Sequence, residues 1–492
     1  MTQFFQNTFA KIGQWFKSLG LSILAFFKNL PKKLKEFFIK LGISIKDGFL
    51  NYVYMFKEGD IGVKLSYIIM GFGAFARKQI AKGIAYLLIE ALFIFYMAFN
   101  GIGAIRGFFT LGTDFGYSIH VIGSDGAAIS VSGDNSMQCL LFGVIAIIVI
   151  FAFIIMYMMN IKSAFEAYEN SVIGKKLPTF KDDIKNLLDK KFYVVLLVIA
   201  LIGVVAFTIL PLIFMILIAF TNWDQEHPAE TGFEWVGFQN FGSLFGSTGL
   251  STTFFPVLLW TLIWALAATF LNYFLGVALA LLINKKDLKF KKVWRTFFVL
   301  TIAIPQFVSL LLMRQLLGEF GPIMEIIRGM GGKGTNLFED TTAARIIVIL
   351  VNLWVGIPYS MLITSGILMN IPQDLYESAR IDGASKMTMF RKITLPYILF
   401  ITGPYLITQF IGNINNFNVI YLLTGGGPFG VSGYADGAGG TSLLVTWLYT
   451  MTGNSNYKLA STLGILTFLV SAIVSLITYR HSSATKNEED FA

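Results

Sequence analysis

Residues 376–396 read YESARIDGASKMTMFRKITLP, and this polar stretch decides the fold because a long apolar segment lies on each side of it. It carries several Lys and Arg residues. Loops rich in these residues lie on the cytoplasmic side of a membrane protein. The stretch is too long and too regular in pattern for a simple connector. It therefore predicts a structured cytoplasmic element between two membrane spans.

The pattern around Gly383 predicts two short helices within this element. The first covers 372–381, where Asn370 can cap the helix, and Pro372 suits the first turn. Asp374 and Glu377 suit its positive end. Gly383 interrupts the helix, and the second helix is expected to start near Ser385. Small residues on one side would let another surface approach closely, which favours a docking element.

This element resembles the EAA loop of ABC-importer permeases. The family pattern is Glu-Ala-Ala, then Gly after three further residues, then Ile-x-Leu-Pro, and only Ser378 departs from it. The resemblance implies a coupling helix that inserts into an ATP-hydrolysing subunit. A solvated cytoplasmic loop is the alternative. The implied coupling residues are Glu377, Ser378, Ala379, Asp382, Gly383, Leu395 and Pro396.

Composition places the chain among membrane proteins. Of its 492 residues, 55% are hydrophobic and only 14% are charged, whereas soluble proteins average about 25% charged. The net charge of +9 is explained by contact with anionic lipid headgroups and does not indicate nucleic-acid binding. A single cysteine, Cys139, excludes an intramolecular disulfide, and the three histidines are too scattered to predict a metal site.

The apolar runs predict an all-α polytopic membrane protein. A span needs roughly 20 apolar residues. Lys and Arg fall mainly in alternate loops, although the loop 318–343, which is predicted to be external, carries Arg328 and Lys333. This distribution places both termini in the cytoplasm. The eight predicted spans are 80–104, 139–160, 192–220, 254–283, 296–317, 344–368, 397–423 and 458–479.

The predicted domains follow from this layout. Residues 1–78 are basic and amphipathic, which predicts helices on the membrane surface, and the apolar patch 64–76 is too short to span. A cleaved signal peptide is disfavoured, and a regulatory role for the segment stays open. The remaining parts are two N-terminal spans with their loops in 79–190, a core permease domain in 191–480 with the coupling loop 370–396, and a cytoplasmic tail, 481–492.

Further motifs resemble the MalF-type permease subunit of maltose/maltodextrin importers. They are Trp354–Tyr359, Asn415-Asn416-Phe417, Leu422–Pro428 and Leu443-Leu444-Val445. The resemblance implies a type I ABC-importer permease fold in the bacterial cytoplasmic membrane. The chain departs from the best-known form in its external loop 222–251, which is short and lacks a large folded insert.

Two polar stripes predict a substrate site. Asn352, Gly356 and Tyr359 share a helical face at spacing i, i+4, i+7, and Gln409, Asn413 and Asn416 repeat that spacing. Polar residues within spans are usually functional. Amides and an aromatic ring suit neutral sugars, because amides hydrogen-bond hydroxyl groups and a ring packs on a pyranose face. Hydrogen bonding between helices is the alternative role.

The resemblance carries the family's sugar-contact positions onto Asn352, Val355, Gly356, Tyr359, Gln409, Gly412, Asn413 and Asn416. Gln409 and Gly412 depart from the family's residue types, which have a small hydroxyl residue and an aromatic there. A missing aromatic at Gly412 predicts a larger pocket, which would admit longer or differently linked glucans.

The resulting hypothesis is a transport subunit, not an enzyme. The Gly425–Pro428 run lacks the Lys-Ser/Thr of a nucleotide-binding loop, so we expect no cofactor in this chain and ATP with Mg²⁺ in its partners. The implied partners are a second, MalG-like permease, two ATPase subunits and an external solute-binding protein. Another oligosaccharide is the main alternative substrate. An ion-coupled transporter using Glu90, or a membrane receptor, is a rival from another class.

Overall fold

The computed structural model describes residues 2–122, 127–246, 249–285, 288–330 and 336–480. Within this range eight helices are long and apolar enough to cross a membrane, which confirms the predicted fold class and number of spans. They are Ile80–Thr110, Ser136–Val172, Phe192–Ile218, Ser251–Ile283, Gln306–Gly329, Thr341–Met369, Lys386–Ile414 and Tyr457–Leu476. The predicted tail, 481–492, lies outside the described residues.

Helices form most of the described chain. In order they are α1 (Thr2–Glu58), α2 (Ile61–Leu65), α3 (Phe72–Ala76), α4 (Ile80–Tyr96), α5 (Ile102–Thr110), α6 (Ser136–Val172), α7 (Phe180–Leu188), α8 (Phe192–Val204), α9 (Leu210–Ile218), α10 (Gln239–Phe245), α11 (Gly249–Ile283), α12 (Lys291–Ala303), α13 (Gln306–Leu317), α14 (Pro322–Gly329), α15 (Thr341–Met369), α16 (Gln373–Ile381), α17 (Lys386–Met389), α18 (Leu395–Ile414), α19 (Phe417–Thr424), α20 (Leu444–Gly453) and α21 (Tyr457–Arg480). Three π-helical turns, Met97–Gly101, Val205–Ile209 and Phe390–Thr394, join successive helices.

A β-hairpin in the loop between the first two spans was not predicted. Strand β1 (Tyr117–Ile122) pairs antiparallel with β2 (Ala127–Ser132), and Tyr117 lies opposite Ser132. Both strands are rich in valine, isoleucine and small polar residues, which favour pleated structure. The loop is also rich in glycine and serine, which are typical of irregular loops, so its sequence did not predict strands.

Two predicted spans are broken rather than continuous. The predicted helix 296–317 is interrupted where Ile304 and Pro305 adopt extended backbone angles between α12 and α13. Proline lacks an N–H group and disfavours helical geometry in the residue before it. The predicted helix 397–423 ends at Ile414, and Asn416 caps a new helix, α19. Both continuous-span predictions were wrong at these points.

One compact unit comprises Ala25–Gly237. In it, the short helices α2 and α3 pack beside α4 and α6, as expected for an apolar patch too short to span. Asn160 of α6 holds this segment by accepting a hydrogen bond from Gly71 N at 2.9 Å and donating to Ser66 O at 3.1 Å. The Glu90 carboxylate of α4 accepts from Met70 N at 2.9 Å. This intramembrane carboxylate therefore has a structural partner.

The other compact unit comprises the described residues within 2–24 and 238–480. Its core is built around α11, which lies so close to α15 that a Cβ on Gly276 would sit 2.4 Å from Ser360 Cβ. The Tyr273 hydroxyl joins α11 to α18 through Thr402 Oγ1 at 2.7 Å. These contacts fix three of the helices that surround a polar cavity.

Candidate functional site

A cavity of about 320 Å³ opens among α11, the α12–α13 break, α15 and α18. The structure brings both predicted polar stripes to this one place. Seven of the eight predicted substrate residues line it: Asn352, Val355, Gly356, Tyr359, Gln409, Asn413 and Asn416. The volume falls within the range of about 300–1,000 Å³ that is usual for ligand pockets.

Gly412 is the predicted residue that does not line the cavity. It is exposed on α18, and a Cβ built on it would meet no atom within 4 Å. A larger side chain at this position would therefore enter open space rather than the cavity of this chain. The proposed effect of Gly412 on the length of the sugar stays a prediction.

The lining of the cavity is polar but uncharged. Its polar groups are amides and hydroxyls, and none of the described residues that line it is Asp, Glu, Lys, Arg or His. Amides both donate and accept hydrogen bonds, and hydroxyls do the same. This surface suits a ligand rich in hydroxyl groups, and it offers no ion pair to a charged one.

Two amides keep buried polar atoms without a partner within the described part of the chain. Asn352 on α15 is only 5% exposed, and its Nδ2 donates to no acceptor. Asn272 on α11 has a buried Oδ1 that accepts from no donor. A buried polar atom without a partner costs about 1–3 kcal/mol. Both residues line the cavity, so its wall contains polar groups whose hydrogen-bonding capacity is unused within the protein.

The other predicted asparagines are already bonded within the protein. Asn413 Nδ2 donates to Thr269 Oγ1 at 3.0 Å, which joins α18 to α11. Asn416 Nδ2 donates to Asn413 Oδ1 at 3.3 Å, and Asn416 Oδ1 accepts from Val419 N at 3.2 Å. Asn413 thus performs the helix-joining role that was the alternative interpretation, and Asn416 caps α19, while both residues also line the cavity. Because α18 ends before Asn416, its position follows from a cap rather than from a helical stripe.

Asn272 was missed by the sequence reasoning. Its amide lies directly against Gly356, so that a Cβ on residue 356 would sit 2.2 Å from Asn272 Nδ2. A polar residue in an apolar span is a functional signal, and Asn272 carried that signal in the run Phe270–Phe274. Gln306 was also missed, because the break that brings it to the cavity follows from Pro305.

Aromatic rings form one wall of the cavity. Tyr359 and Tyr405 face each other from α15 and α18 with ring centroids 6.3 Å apart. Tyr359 keeps half of its surface exposed. A tyrosine ring with a free face and a polar hydroxyl suits a sugar, which has an apolar ring face and polar edges.

The predicted coupling loop 370–396 (the coupling segment) folds as two short helices about Gly383, as predicted. α16 covers Gln373–Ile381, Gly383 adopts φ +75°, and the Ser385 hydroxyl caps α17 by accepting from Thr388 N at 3.2 Å. One detail was wrong, because Asn370 ends α15 and does not cap α16. Pro372 precedes α16 without a side-chain cap.

Most of the predicted coupling residues are exposed. Ala379 and Leu395 are half-buried, whereas Glu377, Ser378, Asp382, Gly383 and Pro396 face solvent. Ile381 is 87% exposed, and Leu375 and Met387 are also exposed. The Tyr376 hydroxyl bonds Thr394 Oγ1 at 2.8 Å, which ties α16 to the base of α18. The segment therefore presents exposed apolar side chains together with charged side chains of both signs, and it is linked to a helix of the cavity.

Comparisons with known proteins agree with this arrangement. Residues 272–486 match the family described as binding-protein-dependent transport system inner membrane component. The chain is 37% identical to the galactooligosaccharides transport system permease protein GanP of Bacillus subtilis, over 86% of this chain and 97% of that protein. It is 33% identical to the maltodextrin transport system permease protein MdxF of the same organism, over 86% and 95% respectively. A bacterial ABC transporter involved in the import of the acidic polysaccharide alginate has a similar fold, with TM-score 0.50 and 23% identity over 61% of this chain and 97% of that one.

Proposed function

Because the chain belongs to the family of binding-protein-dependent transport system inner membrane components, we propose that it forms half of the translocation pathway of an ATP-driven importer of neutral oligosaccharides. It is a multi-pass protein of the bacterial inner membrane with eight spanning helices in its described part. The observation that carries the proposal is the uncharged, amide-lined cavity between the helices that flank the coupling segment.

Maltodextrins are the first proposed substrate. Asn352 and Asn272 line the cavity and keep unpartnered amide atoms that would bond sugar hydroxyls once side chains adjust to a bound sugar. The half-exposed ring of Tyr359 would contact a pyranose face. Each satisfied hydrogen bond adds about 0.5–1.5 kcal/mol to binding. These contacts are weak individually, which suits a site that must also release its ligand.

Galacto-oligosaccharides are the second candidate. The similarity to a galactooligosaccharide permease over nearly the full length of both proteins favours them. Glucose and galactose differ in the orientation of one hydroxyl group. An amide pair that donates and accepts is the kind of group that distinguishes such epimers.

Coupling to ATP hydrolysis is proposed to occur through α16 and α17. The exposed apolar side chains Leu375, Ile381 and Met387 would enter a cleft of an ATPase subunit, and Glu377 would lie at its rim. Closure of the two ATPases would move α16, and the hydroxyl contact between Tyr376 and Thr394 would pass that movement to α18. ATP and Mg²⁺ would bind in those partners. A second permease and an external solute-binding protein would complete the importer.

Sugar-stimulated ATP hydrolysis tests this function. The full complex is reconstituted in liposomes with its binding protein, and hydrolysis is measured with maltotriose and with a galacto-oligosaccharide of equal length. We expect one sugar to stimulate hydrolysis strongly and Asn352→Ala to abolish most of the preference. Asn415→Ala is the matched control, because Asn415 bonds Ser471 and does not line the cavity. Transport that requires an ion gradient and no ATP would disprove the proposal.

A further inference from the structure

A second cavity, of about 380 Å³, lies where the first membrane span begins. Its walls come from the α3–α4 junction and from the segment that leads into α7. The basic residues Arg77, Lys78 and Lys82 line it together with Asp183, and the remaining lining is apolar or uncharged. It belongs entirely to the compact unit Ala25–Gly237, and the transport cavity does not account for it.

Lys78 occupies a backbone position that normally favours glycine. It follows α3 with φ +60°. Lys78 N donates to Phe75 O at 3.0 Å and Gln79 N donates to Ala74 O at 2.9 Å. This pair of bonds is the Schellman motif, in which glycine usually occupies the left-handed position. A lysine there accepts backbone strain, and such strain commonly marks a functional side chain.

The positive charge of the cavity comes mainly from the two lysines. Arg77 is already engaged, because its guanidinium donates to Asp60 Oδ1 and to Gly73 O, each at 2.9 Å. Within the described part of the chain neither Lys78 nor Lys82 forms an ion pair. Asp183 is the one carboxylate of the lining, whereas the neighbouring Asp182 is engaged by the Thr179 hydroxyl at 2.7 Å.

The first turn of α4 adds partial positive charge. Ile80, Ala81 and Lys82 all line the cavity, and Gln79 gives no side-chain cap to the helix. The backbone N–H groups of an uncapped first turn attract anions. Because Ile80 also begins a membrane span, we expect the cavity to lie at the depth of the lipid headgroups. Basic pockets at this depth bind anionic headgroups.

We propose that this cavity binds a phosphate group supplied by the headgroup of an anionic phospholipid. Lys78 and Lys82 would contact the phosphate oxygens together with the first N–H groups of α4. Leu177 and Pro178, which line the opposite wall, would contact the glycerol and upper acyl carbons. Asp183 would disfavour additional negative charge, so that a headgroup with a single phosphate is expected.

Lipid retention by the complete complex tests the proposal. The complex is equilibrated in nanodiscs that contain phosphatidylcholine and phosphatidylglycerol in equal parts, extracted into detergent, and analysed by native mass spectrometry. The test variant is Lys78→Gly with Lys82→Gln, since glycine suits the left-handed position and preserves the fold. At about 1 kcal/mol for each lysine near the membrane surface, retention of phosphatidylglycerol should weaken roughly 30-fold.

The matched control is Lys190→Gln with Lys191→Gln. These lysines precede the span that begins at Phe192, and they do not line the cavity. We expect the control to retain phosphatidylglycerol as the wild type does, and Asp183→Asn to retain more. Equal losses in both double variants would show diffuse charge attraction and overturn the proposal. The proposal would also be overturned if the wild type retained phosphatidylcholine as well as phosphatidylglycerol. Displacement of the bound phosphatidylglycerol by millimolar inorganic phosphate would overturn the assignment to a lipid headgroup.

Discussion

At the scale of single residues, the contact between Asn272 and Gly356 shapes the cavity that both polar stripes line. Glycine at position 356 lets the Asn272 amide approach α15 closely, since any Cβ would lie 2.2 Å from Nδ2. The same amide keeps an unpartnered Oδ1 beside the cavity. One small residue on α15 thus decides where a polar group of α11 is placed.

Gly356→Ala should therefore lower the thermal stability of the complex, and a second substitution, Asn272→Ala, should restore part of that stability. Forcing an extra methyl group into a packed site costs about 1–3 kcal/mol, and removing the amide creates room for it. The measurement is a double-mutant cycle on thermal stability of the purified complex. Additive effects of the two substitutions would contradict the contact.

The single substitution Asn272→Ala tests whether this amide also contributes to sugar binding. Loss of one hydrogen bond of about 1.4 kcal/mol should reduce sugar affinity about tenfold. The apparent affinity is taken from sugar-dependent ATP hydrolysis, with Asn415→Ala as the control outside the cavity. An unchanged affinity with a stable protein would exclude Asn272 from the sugar site.

The hydrogen bond that Glu90 accepts argues against a role of this residue in ion coupling. Its carboxylate accepts from Met70 N, and a glutamine could accept the same bond through its amide oxygen. We expect Glu90→Gln to leave uptake rates unchanged across pH, whereas Glu90→Ala should lower stability because Met70 N loses its acceptor. A Glu90→Gln variant that folds normally but stops transport would revive the ion-coupled alternative.

At the scale of elements, the coupling segment combines two short helices with a left-handed glycine. Gly383 has open space around it but φ +75°, so any other residue there is strained by its backbone alone. The strain would change the angle between α16 and α17. Because Glu377 is exposed, its replacement should leave the membrane helices intact.

Glu377→Lys combined with Gly383→Asp should abolish co-purification of the ATPase subunits. The second permease should still co-purify, since it is expected to contact the membrane helices. Glu339→Lys is the control, because this exposed glutamate precedes α15 at the end away from the coupling segment. Retention of the ATPase by the double variant would refute the role of this segment.

At the scale of the whole molecule, the excess of Lys and Arg in alternate loops predicts the sidedness of the spans. A Cys139→Ser protein has no cysteine, so single introduced cysteines report topology directly. Ser171→Cys, which is exposed in the last turn of α6 next to the lysine-rich segment, should react with a membrane-impermeant thiol reagent only after cell lysis. Ser432→Cys, exposed in the glycine-rich loop, should react in intact cells. The reverse pattern would invert the topology and place the coupling segment outside.

The sequence by itself determined the number of spans, the two helices about Gly383 and the stripe of Asn352, Gly356 and Tyr359. These features are local, because span length, charge bias and helical spacing are read along one segment. Only the tertiary structure decided that Asn272 meets Gly356, that Gln306 reaches the cavity through a break, and that Gly412 lies outside it. Such features depend on how closely separate helices approach and where each one ends. No single segment encodes that information, since packing between segments far apart in the chain determines it.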